Sequence, residues 1–394
     1  MLLIPISLTA VLLLLLGTVE RRRHQRNIEK IPVRININGV RGKSTVTRLT
    51  TGILKEAGYK TVGKTTGTSA RMIYWNSSEE KPIIRDPEGP NIKEQKRVID
   101  EVAETKADAL VSECMAVNPD YQVTFQEVLL QANICVIVNV LEDHMDVLGP
   151  SLDDVASAFV ATIPYNGHLI LNDSPYTDMY RSIAEKRNTE VIVADTSQIT
   201  EDYLRQFPYI IFPENAALAL AVSKALNIDE EVARQGMLHS HPDPGALRVM
   251  TVENQGHTSP FINAFAANDA HSTLAIWERV QMLGYSGKHP IILMNCREDR
   301  VDRTEQFAYD VLPKMEIGTL VLIGSVTSPI VQAHKDGVID ADRVIDLDGK
   351  KTNEVFEKIL SLVNGDVMFG VGNIHGVAEE LMEKIQENEE PHTA

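Results

Sequence analysis

The sequence predicts an α/β fold in which doubly wound parallel sheets follow an N-terminal transmembrane helix. Three observations support this prediction. Short apolar strands alternate with helical stretches, a glycine-rich turn joins an early strand to a helix, and residues 2–19 carry no charge. Buried strands that alternate with helices are typical of a parallel sheet covered on both faces. The 394 residues are enough for two domains with separate cores.

The composition excludes several classes of protein. Apolar residues make up 43% of the chain and aromatic residues 5%, as in a globular enzyme rather than a disordered chain. There are 55 acidic and 38 basic residues, giving a net charge of −17, and this balance argues against nucleic-acid binding. Cys114, Cys135 and Cys296 are widely spaced, which predicts reduced thiols rather than disulfides or a zinc site.

The N-terminal apolar segment predicts a membrane anchor over residues 1–20. As a helix, residues 2–19 would span about 27 Å, close to the thickness of the hydrocarbon layer. Four arginines follow within seven residues, and basic flanks stay in the cytoplasm. A cleaved signal peptide would have basic residues before the apolar run and small residues after it. We therefore expect a single-pass protein of the cell membrane, with the rest of the chain in the cytoplasm.

The periodicity of the remaining chain predicts two domains and a tail. Strict alternation predicts a strand over 33–38, and helical spacing predicts a helix over 45–57 that ends at Gly58. In the first domain we also expect a helix over 153–161 and strands over 109–113, 134–139 and 168–171. After a turn at 242–245, a second series predicts strands over 261–265, 291–295, 319–323 and 367–370. The predicted domains are 31–245 (central) and 246–386 (a smaller Rossmann-like domain), followed by a polar tail over 387–394.

The clearest chemical motif is the turn Gly39-Val40-Arg41-Gly42-Lys43-Ser44-Thr45. The backbone N–H groups of such a loop surround phosphates, the lysine adds positive charge, and the hydroxyl of Ser44 would ligate Mg²⁺. The match to the full phosphate-loop motif is incomplete, because Ile37 stands where that motif has glycine. The strand–turn–helix context nevertheless predicts a nucleotide-phosphate site. Arg41 could contact a phosphate or remain in solvent, and both alternatives stay open.

Two further polar residues follow predicted buried strands. Glu113 ends one strand and His144 follows the next. Ligands of open α/β sheets bind at the carboxyl ends of the strands, so we expect Ser44, Glu113 and His144 to meet at one edge and hold Mg²⁺. With Lys43, the last two form the predicted catalytic set. Alone, Glu113 could cap a helix and His144 could be an ordinary loop histidine; their joint occurrence favours the metal site.

These motifs resemble those of the Mur ligases and folylpolyglutamate synthase. The glycine turn, Glu113 and the segment 139–146 (Asn-Val-Leu-Glu-Asp-His-Met-Asp) share the order and spacing found in these enzymes. The resemblance extends to three further segments, and it assigns to nucleotide binding Asn215 in Glu-Asn-Ala-Ala-Leu-Ala, Arg248 in Asp-Pro-Gly-Ala-Leu-Arg, and Asp269 in Asn-Asp. Segment 370–375 (Gly-Val-Gly-Asn-Ile-His) is similar to a C-terminal-domain motif.

Longer segments are similar to the PgsB/CapB family, the ligase subunits of poly-γ-glutamate synthases. These segments are 37–49, 63–68, 112–121 and 295–304. Mur ligases carry a domain that binds a UDP-sugar ahead of the phosphate loop. Only about a dozen residues separate the predicted anchor from the first strand here, so a UDP-sugar substrate is not expected.

The resemblance implies an ADP-forming acid–amino-acid ligase that uses ATP and Mg²⁺. Its product would be poly-γ-glutamate, a capsule or extracellular polymer, made from glutamate through an acyl phosphate. The implied partners are the growing chain and membrane subunits similar to PgsC/CapC and PgsA/CapA, while self-association stays open. A hinged second domain would contribute acceptor contacts and close the cleft.

Two other functions compete with this interpretation. One is a membrane-tethered P-loop phosphotransferase, and the other is a non-catalytic ATP-binding scaffold of a capsule-export complex. The guanine motif Asn-Lys-x-Asp is absent from the sequence, and the C-terminal tail has no tyrosine cluster. These absences argue against a regulatory GTPase and against an export-associated tyrosine kinase.

Two local features leave the substrate and metal sites less determined. Arg297, Arg300 and Arg303 follow a predicted strand among acidic residues, and a clamp on a polyanionic chain and solvated surface pairs are equally supported. A gap-free alignment places Phe159 where the Mur ligases carry a carbamoylated lysine that holds a second Mg²⁺. The resemblance therefore implies one protein-held metal or a substitute for the carbamate. His239 and His241 are expected to be linker residues.

Overall fold

The computed structural model describes residues 3–66, 70–84, 94–243, 246–267, 269–285 and 287–388. The chain divides into two compact units, Met1–Gln206 with Phe212–Pro244, and Phe207–Ile211 with Gly245–Ala394. The short segment Phe207–Ile211 packs with the second unit because Ile210 joins its core and its N–H donates to the carbonyl of Leu247 at 2.7 Å. Asn268, residues 67–68 of the segment 63–68, the turn residues 244–245 and the tail from 389 onward lie outside the described residues.

The first unit is built on a mostly parallel sheet. Over the described residues its eight strands are β1 Val33–Asn38, β2 Thr61–Lys64, β3 Arg71–Tyr74, β4 Lys81–Pro82, β5 Ala109–Glu113, β6 Ile134–Ile137, β7 His168–Leu171 and β8 Glu190–Val193. Their spatial order is β4-β3-β2-β5-β1-β6-β7-β8, and only β2–β3 and β3–β4 pair antiparallel. The predicted doubly wound architecture is thus confirmed for this unit.

Helices cover this sheet. Their bounds are α1 Leu3–Glu29, α2 Lys43–Glu56, α3 Glu94–Glu104, α4 Pro119–Thr124, α5 Met145–Leu148, α6 Leu152–Phe159, α7 Thr177–Lys186, α8 Glu201–Leu204, α9 Pro213–Ala225 and α10 Glu230–Leu238. A π-helical turn, Phe125–Leu130, continues α4, and a 3₁₀ turn, Val160–Thr162, continues α6.

Several predicted elements match the structure and others shift at their ends. The strands predicted over 33–38, 109–113 and 168–171 have the bounds of β1, β5 and β7. The strand predicted over 134–139 ends at Ile137, because Asn139 turns its side chain to the glycine-rich loop. Helix α2 begins at Lys43, two residues early, since left-handed Gly42 (φ 83°) precedes it directly. The helix predicted over 153–161 becomes α6 and its 3₁₀ turn.

The described part of the N-terminal apolar segment, residues 3–19, lies within α1. Side chains of its described part are exposed, among them those of Leu8, Leu14 and Val19. Within the described residues, no helix has both the length and the apolar character needed to cross a membrane.

The second unit is a smaller α/β body. Over its described residues the sheet has the order β13-β12-β11-β14-β10-β9, in which only β9 is antiparallel. The strands are β9 Val249–Asn254, β10 His257–Asn263, β11 Ile291–Cys296, β12 Thr319–Gly324, β13 Arg343–Asp346 and β14 Met368–Gly372. The helices are α11 Ala270–Met282, α12 Val301–Gln306, α13 Ser328–Lys335, α14 Thr352–Leu360 and α15 Val377–Asn388.

The sequence located four of these strands with shifted ends. The strand predicted over 261–265 is β10, which starts four residues earlier because it forms a hairpin with β9. Those predicted over 291–295, 319–323 and 367–370 correspond to β11, β12 and β14. Helix α15 continues through residue 388, two residues into the segment predicted to be a polar tail.

Candidate active site

The glycine-rich loop joins β1 to α2 at the carboxyl edge of the first sheet. Gly39 has φ 127° and Gly42 has φ 83°, values that disfavour any side chain. A Cβ on Gly39 would lie 3.0 Å from the backbone nitrogens of Val138 and Asn139. The loop therefore passes close to the end of β6, and glycine is required for both its conformation and this approach.

Lys43 and Asn139 hold this loop in shape. The ammonium group of Lys43 donates to the carbonyl of Gly39 at 2.8 Å and to that of Val40 at 3.0 Å. Oδ1 of Asn139 accepts from the N–H groups of Val40 (3.1 Å) and Arg41 (3.0 Å), and its Nδ2 donates to the carbonyl of Arg41 at 2.9 Å. The ammonium group of Lys43 therefore lies against the loop, and Asn139 fixes the conformation of the loop backbone.

Glu113 connects three segments of the same edge. Strand β1 pairs in parallel with β5 and β6, which brings the end of β5 beside the loop. Oε2 of Glu113 accepts from Oγ of Ser44 at 2.8 Å and from the backbone N–H of Thr66 at 2.8 Å. Glu113 as a whole residue is only 4% exposed. A buried carboxylate and a hydroxyl in direct contact form a pair of hard oxygen donors.

His144 lies in the loop after β6 and remains accessible. Its backbone is left-handed (φ 49°), its N–H donates to Oδ1 of Asp143 at 2.9 Å, and its ring is more than half exposed. Asp143 also pairs with Arg41 at 3.5 Å. A non-glycine residue in this conformation costs about 1–3 kcal/mol, and such residues cluster at functional sites. Arg41 of the phosphate loop is thus paired with Asp143, which belongs to the same loop as His144.

Several of these groups line a cavity of about 440 Å³ in the first unit. Its walls include Lys43, Glu113, His144 and Phe159, and Lys43 is the only lysine among the described lining residues. Phe159 is 2% exposed at the end of α6. Phe159, which a gap-free alignment places at the carbamate position, therefore lies in the wall of this cavity and has no atom that could bind a metal ion.

No group of three or more His, Cys, Asp and Glu side chains in the described part of the chain is arranged to hold a metal ion. The predicted set contains two such residues, Glu113 and His144, together with the hydroxyl of Ser44. The pair that is in contact, Ser44 and Glu113, has the oxygen donors that Mg²⁺ prefers. This donor set suits a cation that takes further ligands from phosphate groups and water.

The three residues assigned to the nucleotide by resemblance lie in different units. Asn215 is in the first turn of α9, and its Oδ1 lies 2.8 Å from where a Cβ on Gly42 would be. The structure therefore brings Asn215 to the phosphate loop. Arg248 and Asp269 belong to the second unit, where Arg248 is exposed and Asp269 caps α11 by accepting from the N–H of Ser272 at 2.8 Å.

The predicted arginine cluster lies on the second unit, interspersed with the acidic residues Glu298, Asp299 and Asp302. Partial burial, together with the charges of Arg300 and Arg297, lowers the pKa of Arg303, so the three guanidinium groups influence one another. Nη1 of Arg303 donates to Oδ1 of Asn373 at 2.6 Å, and Arg297 pairs with Asp299 at 2.8 Å. In this cluster Arg303 is therefore oriented by a hydrogen bond to Asn373, and Arg297 is paired with an acidic neighbour.

His239 and His241 line a second, smaller cavity of about 260 Å³ beside α2, with Arg48 and Trp75. Nδ1 of His239 lies 2.9 Å from Oε2 of Glu56. Neither histidine is among the described residues that line the larger cavity.

Sequence analysis missed the supporting roles of Asn139 and Thr66. Both follow strands at the carboxyl edge, β6 and β2, which is where polar residues contact ligands in open α/β sheets. This position is the signal that could have identified Asn139. The contact of Thr66 is made by its backbone, and side-chain type carries no information about such a contact.

Two family models match the chain. Residues 37–233 match the Mur ligase middle domain, and residues 249–388 match the poly-gamma-glutamate synthase CapB C-terminal domain. Among solved structures, the fold is similar to a bifunctional folylpolyglutamate synthase/dihydrofolate synthase from Yersinia pestis complexed with AMPPNP and a Mn ion. The TM-score is 0.62 at 13% identity, over 92% of each chain. At this identity the likeness shows the fold, which is that of the Mur ligases.

Two relatives are similar over nearly the whole chain. "PGA synthase CapB" of Bacillus subtilis (strain 168) is 61% identical over 380 residues, covering 96% of this chain and 97% of the relative. "Capsule biosynthesis protein CapB" of Bacillus anthracis is 56% identical over 384 residues, covering 98% of this chain and 83% of the relative. The chain therefore belongs to the CapB family of poly-γ-glutamate synthase proteins, within the Mur ligase superfamily.

Proposed function

We propose that the chain is an ATP-dependent, ADP-forming amide ligase that joins glutamate units into poly-γ-glutamate. The observation that carries this proposal is the contact between Ser44 and Glu113 beside Lys43, on a glycine loop braced by Asn139. In a chain of the CapB family, this arrangement supports transfer of a phosphoryl group to a carboxylate.

The proposed reaction has two steps. The side-chain carboxylate of glutamate, or of the chain end, attacks the γ-phosphorus of ATP, so a C–O–P bond forms and ADP leaves. The amine of the next unit then attacks the acyl carbon, loses a proton, and expels inorganic phosphate as the amide bond forms. Lys43 and the backbone N–H groups of the loop would neutralise the charge that develops on the phosphoryl oxygens. The chain's contribution is therefore mainly positioning and charge stabilisation.

Ser44 and Glu113 would hold Mg²⁺, with His144 as a further ligand. The buried carboxylate and the hydroxyl in contact with it fit a hard divalent cation. When bound, such an ion supplies charge neutralisation on the phosphates. The folylpolyglutamate synthase of Yersinia pestis, of the same fold, was crystallised with Mn and AMPPNP, which supports a cation and an adenine nucleotide here.

The remaining predicted contacts concern the nucleotide and the polymer. Asn215, which touches the phosphate loop at Gly42, would contact the nucleotide, and Arg248 and Asp269 are assigned to it by family resemblance. Arg297, Arg300 and Arg303 would bind carboxylates of glutamate or the growing chain, since guanidinium forks match carboxylate geometry.

We infer further that the apolar start of α1 anchors the chain in the cell membrane as a single transmembrane helix. The uncharged run over 2–19, its exposed side chains and the arginines that follow support this inference. The two units would then lie in the cytoplasm and work with membrane subunits similar to PgsC/CapC and PgsA/CapA.

The test is nucleotide turnover by membranes that contain the full chain. We expect ADP to form only when ATP, Mg²⁺ and glutamate are all present, and a γ-linked glutamate product to accumulate with it. The variant Lys43→Ala should form neither. ADP formation independent of glutamate would support a phosphotransferase instead, and nucleotide binding without turnover would support a scaffold.

A further inference from the structure

The N-terminal helix continues into the first unit without a linker. His24, Asn27 and Ile28 of α1 are buried against the unit. Nε2 of His24 lies 3.0 Å from the carbonyl oxygen of Leu129, and Nδ2 of Asn27 donates to Asp100 at 2.8 Å. The helix that starts in the apolar segment is therefore fixed to the domain along its last two to three turns.

The direction of α1 follows from its contacts with α3. Helix α3 starts at the carboxyl edge of the sheet, where Lys64 at the end of β2 pairs with Glu94 at 3.1 Å. It then runs toward the amino end of β5. Glu20 of α1 contacts Lys96 at the start of α3, and Asn27 contacts Asp100 further along. Helix α1 therefore runs beside α3 in the same direction, toward the amino edge of the sheet.

The apolar segment consequently projects from the carboxyl edge. After α1 the chain turns and enters the amino end of β1, which leads back to the phosphate loop. The helix descends about 14 Å from Glu20 to Glu29, and β1 rises about 17 Å over its six residues. Glu20 therefore lies within about one helical turn of the level of the phosphate loop. Residues 3–19 extend roughly 25 Å beyond it.

A lipid bilayer is the occupant that this projecting segment fits. Its exposed large side chains surround the helix rather than forming one stripe, and they are Leu8, Val11, Leu12, Leu13, Leu14, Leu15, Leu16 and Val19. Exposed apolar side chains on every side of a helical segment fit a hydrocarbon environment. Exposed Arg21, Arg22 and Arg23 follow at once, where anionic headgroups would lie.

We infer that α1 is a rigid strut that holds the phosphate-binding edge of the first unit toward the membrane, at the level of the headgroups. Polymer made at this edge then leaves the site beside the bilayer, within reach of a membrane-embedded acceptor. This inference rests on the proposed anchor. It adds an orientation that the anchor alone does not give, since a flexible tether would allow either edge to face the lipid.

Two labelling positions on one strand test the orientation. Thr196 follows the carboxyl end of β8 and Lys186 precedes its amino end, and both are exposed. Thr196→Cys and Lys186→Cys would each carry a fluorescent donor, because the native Cys114, Cys135 and Cys296 are buried and burial raises the pKa of Cys114 to about 11. The full-length protein is placed in vesicles of phosphatidylglycerol and phosphatidylethanolamine with an acceptor dye on lipid headgroups.

We expect more efficient energy transfer to the lipid dye from position 196 than from position 186. An eleven-residue Gly/Ser insertion between Glu20 and Arg21 should abolish this difference, because it uncouples the strut. A helix-forming Ala/Glu/Lys insertion of the same length, about three turns, should lower both transfers and keep their order.

The outcomes separate this inference from the proposals on which it rests. If the unmodified chain fails to float with the vesicles, the anchor is refuted and the strut with it. If it floats but transfer is equal from both positions, or greater from position 186, the strut is refuted and the anchor stands. Persistence of the difference with the Gly/Ser insertion would also refute the strut. Ligase turnover is measured separately, so loss of activity cannot be mistaken for loss of orientation.

Discussion

At the scale of single residues, Glu113 is the group that joins the parts of the phosphate-binding edge. It ends β5 and accepts from both the Ser44 hydroxyl and the Thr66 backbone. Its carboxylate is nearly excluded from solvent, and a buried charge without partners is unfavourable. Glu113 already accepts two hydrogen bonds, and a bound cation would further stabilise its negative charge.

Glu113→Gln should reduce turnover by about 10²–10³, as expected when developing charge loses a stabilising partner. The amide keeps the size of the side chain but removes the negative charge that would hold Mg²⁺. Initial rates across a Mg²⁺ titration measure this. Glu127→Gln, which alters an exposed glutamate after α4, is the control and should behave as the unmodified chain. A normal rate and Mg²⁺ dependence in Glu113→Gln would make Glu113 a structural residue.

Phe159 predicts that the enzyme works without a carbamoylated lysine. Among the described residues that line the cavity, Lys43 is the only lysine, and it is bound to its own loop. Activity should therefore be unchanged when CO₂ is stripped and when bicarbonate is restored. Rescue by bicarbonate, or a modified lysine beside His144 in a high-resolution map, would show that the gap-free alignment is wrong.

At the scale of elements, the sequence predicted β5, β1, β6 and β7 of the first sheet and missed β2, β3, β4 and β8. β1 alternates strictly between polar and apolar residues and β5 is a short buried run, and both patterns can be identified from sequence alone. β3 and β4 pair antiparallel at one margin, and β4 has two exposed residues, Lys81 and Pro82. A strand this short and polar has no periodicity, so its pairing depends on tertiary contacts.

In the candidate site, too, the sequence predicted some features and could not predict others. The positions of Ser44 and Glu113 could be predicted because motif and strand ends both point to the carboxyl edge. The phosphate loop itself departs from the full motif at Ile37, which is completely buried in β1. Asn139 replaces part of the lost constraint by binding the loop backbone, and such compensation is visible only in three dimensions.

Arg48 of α2, the helix that follows the phosphate loop, forms ion pairs with two other segments of the first unit. Its buried guanidinium group binds Glu80, and its Nε lies 3.4 Å from Oδ2 of Asp243. Burial acts to lower the pKa of Arg48, but hydrogen bonds and charges of Glu80 and Asp243 outweigh it, so the net pKa is raised. The arginine is therefore charged at all physiological pH values. Its positive charge compensates the negative charges of Glu80 and Asp243.

Arg48→Met should destabilise the first unit by about 3 kcal/mol, because it leaves two carboxylates poorly solvated. Trp75 lies beside Arg48, so its fluorescence during urea unfolding in a Trp277→Phe background reports on this unit. Arg205→Met, which removes an exposed pair with Asp202, should change stability by less than about 0.5 kcal/mol. Glu80→Gln added to Arg48→Met should restore part of the loss; equal stability of Arg48→Met and the parent would contradict the structural role.

At the scale of the whole molecule, the candidate active site and the proposed membrane anchor occupy different parts of the chain. The proposed phosphate-binding edge, its cavity and the contacts of Asn139 with the loop all lie in the first unit. The apolar start of α1 contributes no residue to this cavity. Anchoring and ligation should therefore be separable by deletion.

Removal of residues 2–19 should release the protein from membranes while preserving nucleotide binding. The buried part of α1, including Ile28, stays in place, so the core of the unit is retained. Fractionation and ATP binding measure the two properties, and polymer export from cells should be lost. Continued membrane association of the shortened chain would refute the anchor.

The central claim is that ATP activates a glutamate carboxylate as an acyl phosphate. The most direct measurement follows oxygen-18 from a glutamate labelled in its side-chain carboxylate, incubated with ATP, Mg²⁺ and membranes that carry the full-length chain. We predict that one labelled oxygen appears in inorganic phosphate for each ADP formed, and that Lys43→Ala transfers none. Label found in AMP, or ADP formed without label in phosphate, would contradict the account.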